Sequence, residues 1–441
     1  MGFGRTVRSF LVQRSRGRRI LAITCAVVMA IAALWWSLPR TGGMWLRVWP
    51  PVALFVLFCA AAWCLRKVVR WQAANWVPAY LCAPRSSPEV GKPIDVCFLF
   101  VDHFEPEWNR ASAQVQVPRV VRWEELYSQA IKGHADSDGR PPQHTWFFPV
   151  ATEAPEAAEG LARWPGYGWG EIEYHLHHPV SATEEEIGKQ IREDIASLQR
   201  LGAVPTGRYG FVHGMFSLAA GDRRSCNAPG ELDVLMETGC YADFTFPALN
   251  TPAQPRLVNT IYYARSTGQP KPYDCGVPAE VGRRNDGLLM IPGPMCFGMF
   301  PRVLDDADVG PNYPPSPRRV YRWVDAHVHV RGRPNWVFVT IHAHTAIPRN
   351  CEFLFGGAMQ RTWTELEARY KRDGARLHYV TAREAYNIVR AAEAGMDGNP
   401  DAWRDFEIPP PLARTTRLGS NSLPALRTVG GLAPPQAGVS T

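Results

Sequence analysis

The chain has 441 residues, of which 46% are hydrophobic, with 37 glycines and 39 prolines, a composition that excludes collagen-like, fibrous and wholly disordered proteins. Its formal charge of +7 is unevenly distributed: residues 1–92 carry 13 Lys and Arg against one acid, or +12, and the remaining residues carry 35 against 40, or −5. The mildly acidic body excludes a basic surface that grips phosphates, and we expect no nucleic-acid partner.

Two apolar segments near the amino terminus predict a membrane anchor over residues 1–70. The first, residues 20–38, has 19 uncharged residues, and the second, residues 48–65, has 18 and begins near Pro50 and Pro51. Each is close to the roughly 20 residues that cross a bilayer as a helix. Tryptophans near their ends suit the membrane interface. A cleaved signal peptide fits less well because no small-residue cleavage site follows the first segment, and a buried hairpin because neither segment has a polar face.

The flanking charges predict how this multi-pass anchor is oriented in the lipid bilayer. Arginines and lysines flank both segments on their outer sides, whereas the connector between them carries only Arg40 and Arg47. By the positive-inside rule, both outer flanks and the large C-terminal body face the cytoplasm. If only the first segment spans, the body lies on the other side.

After a proline-rich linker over residues 71–92, strand-like segments alternate with helical ones. The strands are predicted at residues 94–101, 144–150, 171–177, 209–213, 241–246, 288–291, 336–342 and 377–380, and the helices at 120–131, 182–201, 230–238, 317–330, 359–373 and 382–393. This alternation predicts a mainly parallel α/β sheet, and the number of units suits a barrel. Residues 406–441 are Pro-rich without periodicity and predict a disordered tail.

Polar side chains gather where the predicted strands end, which is the active-site edge of an α/β barrel. The candidates are Asp102, His103, Glu105, Glu153, Glu171, Glu173, His175, His177, His178, His213, Asp243, His342 and His344. One carboxylate with two imidazoles is the donor set of an open catalytic metal site. The cysteines form no CxxC pair, so no cysteine-based zinc site is signalled.

Three of these strand ends resemble the polysaccharide deacetylase (NodB homology) family, carbohydrate esterase family 4, over about residues 94–390. FLFVDHFEP matches the strand that ends in an Asp-Asp pair, EIEYHLHH matches the strand that ends Glu-Ile-Gly-x-His, and FVTIHAH matches a late Ile-Leu-Leu-His strand. The resemblance implies a distorted (β/α)7-type barrel over residues 93–405, preceded by the two transmembrane helices. His103 replaces the second Asp, and the Arg-Pro-Pro-Tyr motif of the family is missing.

The resemblance also implies a role for each matched residue. Asp102 would be the general base and His342 the catalytic acid, and a divalent metal, with Zn²⁺ expected, would be held by His103, His175 and His178. His177 is the alternative to His178 as a ligand. Further candidates for the same site are Glu105, Glu173, His213, Asp243 and His344.

The implied reaction is hydrolysis of acetyl groups from an amino sugar of a membrane-associated polysaccharide or lipid-linked glycan. Two other functions fit the sequence. The barrel would be catalytically inactive and assist polysaccharide assembly at the membrane, or it would be a glycoside hydrolase that uses Glu153, Glu171 or Glu173 as its acid and base. Candidate sugar-stacking residues, which are equally suited to core packing, are Trp146, Trp164 and Trp169.

Overall fold

The computed structural model describes residues 44–82, 87–150, 154–298 and 304–411, and it divides into two units, residues 1–74 and 75–441. In the first unit, helix α1 (Met44–Arg70) contains the second predicted apolar segment and continues through Pro50 and Pro51. Its portion Val52–Arg70 is exposed and is long and apolar enough to cross a membrane. Among the described residues it is the one helix that meets this test, and the other predicted span, residues 20–38, lies outside them.

Helix α2 (Ala73–Cys82) occupies part of the segment predicted to be a linker. Within the second unit, Trp76 is 1% exposed, and the Tyr80 ring packs edge-on against Phe297 with centroids 5.1 Å apart. These aromatic contacts tie the start of the second unit to its core.

A mostly parallel sheet of ten strands forms the centre of the second unit. Its strands are β1 (Asp95–His103), β2 (His144–Phe148), β3 (Gly170–Leu176), β4 (Tyr209–His213), β5 (Cys240–Asp243), β6 (Tyr262–Ala264), β7 (Val277–Pro278), β8 (Leu288–Met290), β11 (Trp336–Ala343) and β12 (Arg376–Val380), while β9 (Cys296–Phe297) and β10 (Leu304–Asp305) pair separately. The order is β11-β1-β2-β3-β4-β5-β8-β6-β7, and β12 pairs with the first half of β1.

Seven ladders of this sheet are parallel, and only those that β6 makes with β8 and β7 are antiparallel. The predicted α/β class is therefore confirmed. The predicted barrel is not confirmed, because no ladder joins β8 to β11 within the described part of the chain. The short antiparallel strands, two or three residues each, carry too little alternation to be predicted from sequence.

The helices of the second unit follow the predicted strand–helix alternation. They are α3 (Ala113–Ala130), α4 (Pro155–Leu161), α5 (Glu184–Arg200), α6 (Glu231–Glu237), α7 (Pro317–Asp325), α8 (Pro348–Phe353), α9 (Met359–Asp373) and α10 (Ala382–Glu393). Thr183 caps α5 through a reciprocal bond with Glu186, as its position predicts. Helix α7 ends earlier than predicted, because His327 adopts a left-handed backbone with φ 56°.

Alternation along β1 separates the core into two layers. Phe98 and Phe100 belong to an outer layer that helices α3, α5 and α9 cover, whereas Leu99 and Val101 belong to an inner layer that contains α10. The sheet curves around the inner layer, since the rings of Phe147 and Phe244 approach to 5.7 Å from strands three places apart.

Helix α10 closes the inner layer and holds the end of the described chain. All its residues are buried, and the Asn387 amide donates to the Ile408 carbonyl at 2.8 Å while its oxygen accepts from the Ile408 N–H at 2.9 Å. Residues 406–411, predicted to begin the disordered tail, therefore pack against the body, and residues 412–441 lie outside the described chain.

The close approach of β2 and β3 depends on Gly170. A Cβ at this position would lie 1.8 Å from the carbonyl oxygen of His144. We expect Gly170→Ala to destabilise the body by at least ~3 kcal/mol, because a backbone atom cannot move aside without breaking the pairing of the two strands. Urea or thermal unfolding measures the loss.

Gly168, two residues before Gly170, offers a control. Its backbone is left-handed, with φ 77°, but nothing lies within 4 Å of a Cβ built there. Gly168→Ala should therefore cost only about 1 kcal/mol. Equal losses for the two variants would contradict the steric role of Gly170.

Candidate metal centres

The carboxyl ends of β1, β3, β4 and β11 bring histidines together at one edge of the sheet. Two groups of side chains there have all their ligand atoms within 4.8 Å of one another. The first, which we call the open group, consists of Glu105, His175 and His177. The second, which we call the buried group, consists of His178, His213, Cys226 and Glu231.

The open group joins the end of β1 to the end of β3. His177 Nε2 lies 2.7 Å from Glu105 Oε1 and 3.0 Å from His175 Nε2, and the latter lies 3.5 Å from the same carboxylate oxygen. Ligands of tetrahedral zinc stand about 3.3 Å apart, so these three atoms have metal-like spacing. The His177 side chain is 43% exposed, which leaves the group accessible from solvent.

Hydrogen bonds and burial fix the protonation of this group. His175 Nδ1 donates to the Val212 carbonyl at 2.8 Å. In the neutral ring Nε2 therefore carries no hydrogen, and its lone pair is available to a metal ion. Burial lowers the pKa of His175, which favours the neutral ligand form. Burial opposes ionisation of Glu105, but its imidazole neighbours His175 and His177 outweigh it and hold the pKa of the carboxyl below its usual range.

Three further histidines surround the open group. The His103 ring stacks on His344 with centroids 4.5 Å apart, and its buried Nε2 has no hydrogen-bond partner. Burial and the neighbouring imidazoles lower the pKa of His103 well below its usual value. His342 Nε2 donates to the Phe244 carbonyl at 3.0 Å, its buried Nδ1 has no partner, and burial lowers its pKa to about 4. Both rings are neutral at neutral pH.

The buried group joins the ends of β3 and β4 to the loop after β4 and to the first residue of α6. His178 Nε2 and His213 Nε2 are 3.1 Å apart, and Glu231 Oε1 lies 3.7 and 3.2 Å from them respectively. Cys226 Sγ lies 3.7 Å from Glu231 Oε2. The sequence predicted His178 to act with His175, but the structure places it in this other group.

Electrostatic coupling within the buried group is strong. Burial disfavours the imidazolium form, but Glu231 outweighs it and raises the pKa of His213 to about 10. Against the same burial penalty, Cys226 and Glu231 raise the pKa of His178 to about 9. Burial raises the pKa of the Cys226 thiol, yet its two imidazole neighbours bring it down to about 7. The thiolate, the form that binds metals, is therefore accessible near neutral pH.

The two groups share a stretch of backbone. His177 and His178 are consecutive but enter different groups, because successive side chains of an extended chain point to opposite sides, and this pattern continues just past the end of β3 at Leu176. Gly214 follows His213 and packs against His177, whose Nδ1 would lie 2.5 Å from a Cβ at that position. Only glycine therefore allows the groups to lie this close together.

Asp102 lies on the opposite side of β1 from His103, in the outer layer. Its carboxylate accepts from the Thr345 backbone N–H at 2.7 Å, and it pairs with His144 Nε2 at 2.9 Å and with the Thr345 hydroxyl. It is fully buried and joins the carboxyl end of β1 to the start of β2 and to Thr345, just after β11. The structure thus places it away from the histidines with which the sequence grouped it.

Other predicted site residues have structural partners. Glu171 forms a two-pronged ion pair with Arg383 at 2.9 and 3.1 Å. Glu173 accepts from Tyr241 and from the Gly210 N–H, and burial raises its pKa to about 8. Glu153 lies outside the described residues.

Asp243 and the three candidate tryptophans also belong to the core. Asp243 accepts from the Thr245 hydroxyl at 2.7 Å, and burial raises its pKa to about 7. The tryptophans are too buried to contact a sugar; they are Trp146, Trp164 and Trp169. They therefore pack in the core, the second of the two roles that the sequence allowed.

Comparison with protein-family models and with curated proteins finds no match to this chain. Cys226 and Glu231 could not be recognised from the sequence, because they follow His213 through a loop without a known ligand spacing.

The position of Asp102 predicts a structural penalty for its substitution. Asp102→Asn would direct an amide NH₂ at His144 Nε2 and at the Thr345 hydroxyl, whose oxygen already accepts from Trp123 at 2.6 Å. We expect a loss of about 2–4 kcal/mol, because buried donors would face one another. Thermal unfolding measures it.

Asp233→Asn on the exposed side of α6 is the control, expected to change stability by less than ~0.5 kcal/mol. An Asp102→Asn variant with unchanged stability and abolished activity would instead favour the general-base role that the resemblance implies.

Proposed function

We propose that the body is a metal-dependent hydrolase that removes acetyl groups from an amino sugar of a membrane-associated polysaccharide or lipid-linked glycan. The open group is the observation that carries this proposal. It offers one carboxylate and two imidazoles at the carboxyl ends of parallel strands, with a solvent-exposed side for substrate. Three protein ligands with one free position are typical of catalytic rather than structural zinc sites.

The donor set also agrees with the resemblance to carbohydrate esterase family 4. That family uses one acidic residue and two histidines, and here His103 replaces the acidic residue. Glu105, two residues further along, supplies a carboxylate beside His175 and His177. We therefore assign the ligand roles to Glu105, His175 and His177, with His178 left to the buried group.

A divalent ion at the open group, with Zn²⁺ the best match to nitrogen and oxygen donors, would polarise the acetyl carbonyl and lower the pKa of a water molecule. The fit is supported by the buried His103 Nε2, which faces the group's side of β1 without a hydrogen-bond partner. His103 would orient the water or the acetyl oxygen from this atom.

His342 is suited to moving the proton of the reaction. Its Nε2–H is held by the Phe244 carbonyl, so Nδ1 is the atom that exchanges a proton. Because the ring is neutral at neutral pH, Nδ1 can accept the proton of the attacking water and return it to the leaving amine. Asp102 would position β1 and β11 beneath these residues.

An exposed aromatic residue at the rim suits a sugar substrate. Trp108 is 39% exposed, and its ring centroid lies 6.0 Å from that of His344. A partly exposed indole beside the open group can stack on the apolar face of a sugar ring. We therefore assign the sugar-stacking role to Trp108 in place of Trp146, Trp164 and Trp169, which are packed in the core.

The glycoside hydrolase alternative has less support. Glu171 and Glu173 are both engaged by core partners, and the cavity beside them has a volume of about 10 Å³. That space holds roughly one water molecule and no sugar ring. An assay for acetate release separates the hydrolase from the other alternative, an inactive assembly protein.

The activity test uses the purified full-length protein and acetylated amino-sugar oligosaccharides. We expect acetate release that chelation abolishes and that added Zn²⁺ restores. His177→Ala should lower the rate by at least about 100-fold and remove one equivalent of bound metal, because it deletes a ligand. His342→Gln should lower the rate by about 10²–10⁴-fold with the metal content unchanged.

His134→Ala is the control, since His134 pairs with Glu367 at 3.1 Å outside both groups. It should retain activity and metal. A metal-loaded protein that releases no acetate would support the inactive assembly role, and activity that survives His177→Ala would remove the open group from the mechanism.

The exposed apolar helix supports attachment to a membrane. With both predicted segments spanning, the flanking charges favour a body on the cytoplasmic side. A fluorescent reporter that matures only in the cytoplasm, fused after the last residue, should be bright in intact cells. A dark reporter together with an active periplasmic reporter at the same position would reverse this orientation.

A further inference from the structure

We propose that the buried group is a second, structural metal site, in which His178, His213, Cys226 and Glu231 hold one zinc ion in a closed tetrahedral shell. No ligand spacing in the sequence indicates such a site, and the open group contains no cysteine. The proposal is independent of the hydrolase function, because it rests on a different set of side chains.

The tautomers of the two histidines are the first argument. His178 Nδ1 donates to the Pro179 carbonyl at 2.9 Å, and His213 Nδ1 donates to the Gly214 carbonyl at 2.5 Å. A carbonyl oxygen only accepts, so both hydrogens sit on Nδ1 in the neutral rings. In this neutral form the two Nε2 lone pairs face each other across 3.1 Å, an arrangement that needs a shared cation, either a metal ion or a proton, to be stable. Histidines that bind metals are usually held through the second ring nitrogen in this way.

The carboxylate is the second argument. Glu231 Oε2 accepts from the Ala219 N–H at 2.7 Å, but Oε1 has no hydrogen-bond partner although the residue is fully buried. Buried carboxylate oxygens are rarely left unsatisfied. Oε1 is also the atom that points towards both imidazoles, so an ion between the three would satisfy it.

Donor chemistry and burial select the ion. Two imidazoles and a thiolate favour zinc over magnesium or calcium, which prefer all-oxygen shells. The four ligands fill a tetrahedral shell, and the His178, His213 and Glu231 side chains are at most 3% exposed. A closed shell of this kind is typical of structural sites. One carboxylate and one thiolate would also neutralise the charge of the ion within the core.

The ion would fix the loop between β4 and α6. This loop contains four non-glycine residues with left-handed backbone, a conformation that costs energy at each position; they are Met215, Phe216, Ala219 and Ala220. The ligands lie before it, within it and after it. The Phe216 ring lies 5.2 Å from that of His103, so the site would hold one wall of the open group in place.

The test uses the full-length protein, stripped of metal with a chelator and reloaded with Co²⁺ alone. Because Cys226 is the one thiol in either group, a sulfur-to-cobalt charge-transfer band reports on the buried group specifically. We expect this band in the unmodified protein and in His177→Ala, whose altered residue belongs to the open group. We expect Cys226→Ser to lose the band and one equivalent of metal.

Cys351→Ser is the matched control, since Cys351 is 3% exposed in α8 and belongs to neither group. It should keep the band. If Cys226→Ser does not fold, Glu231→Gln tests the same site. This variant retains the thiol and an acceptor for the Ala219 N–H. Its affinity for Co²⁺, measured against a competing chelator, should be at least about tenfold weaker.

Absence of the band in the reloaded protein, or its persistence in Cys226→Ser, would overturn the proposal. So would a Glu231→Gln variant with unchanged affinity. The band tests this metal site, and acetate release tests the hydrolase proposal. A protein that shows the band but releases no acetate would therefore support the site and contradict the hydrolase function.

Discussion

Backbone carbonyl groups at the carboxyl ends of the strands orient the buried histidines, and both groups depend on this constraint. The pairs are His175 with Val212, His342 with Phe244, His213 with Gly214 and His178 with Pro179. In the neutral form of each ring, the carbonyl accepts a hydrogen from one nitrogen and the other nitrogen keeps a lone pair. The rings are therefore arranged as ligands and proton acceptors, with no side-chain movement needed to expose those atoms.

Strand alternation decides which polar residues can take part in chemistry. His103 and Asp102 are consecutive, yet one faces the inner layer and the other the outer layer, where helices and aromatic side chains exclude substrate. A carboxylate in the outer layer stabilises the ends of the strands instead. The same alternation places Glu171, Glu173 and His175 on the inner side, where only the last lies near the open edge.

Much of the architecture was predictable because it depends on local patterns. Short apolar runs gave the parallel strands, and the cap at Thr183 gave the start of α5. The residues of the open group could be predicted for the same reason, since Glu105, His175 and His177 all lie at or just after strand ends. The buried group was not, because Cys226 and Glu231 approach the histidines through a loop whose path no local pattern encodes. The assignment of His178 failed because it followed the resemblance, whereas alternation along β3 puts His175 and His177, and not His178, on one side.

Gly214 has a consequence for how two ions would behave in this protein. It lies directly after a residue of the buried group and against His177 of the open group, while His177 and His178 share a peptide unit. A shift of this backbone would change both donor sets at once. Binding at the two groups would therefore be thermodynamically linked. If an ion at the buried group changed the affinity of the open group for its ion by some factor, an ion at the open group would change the affinity of the buried group by the same factor.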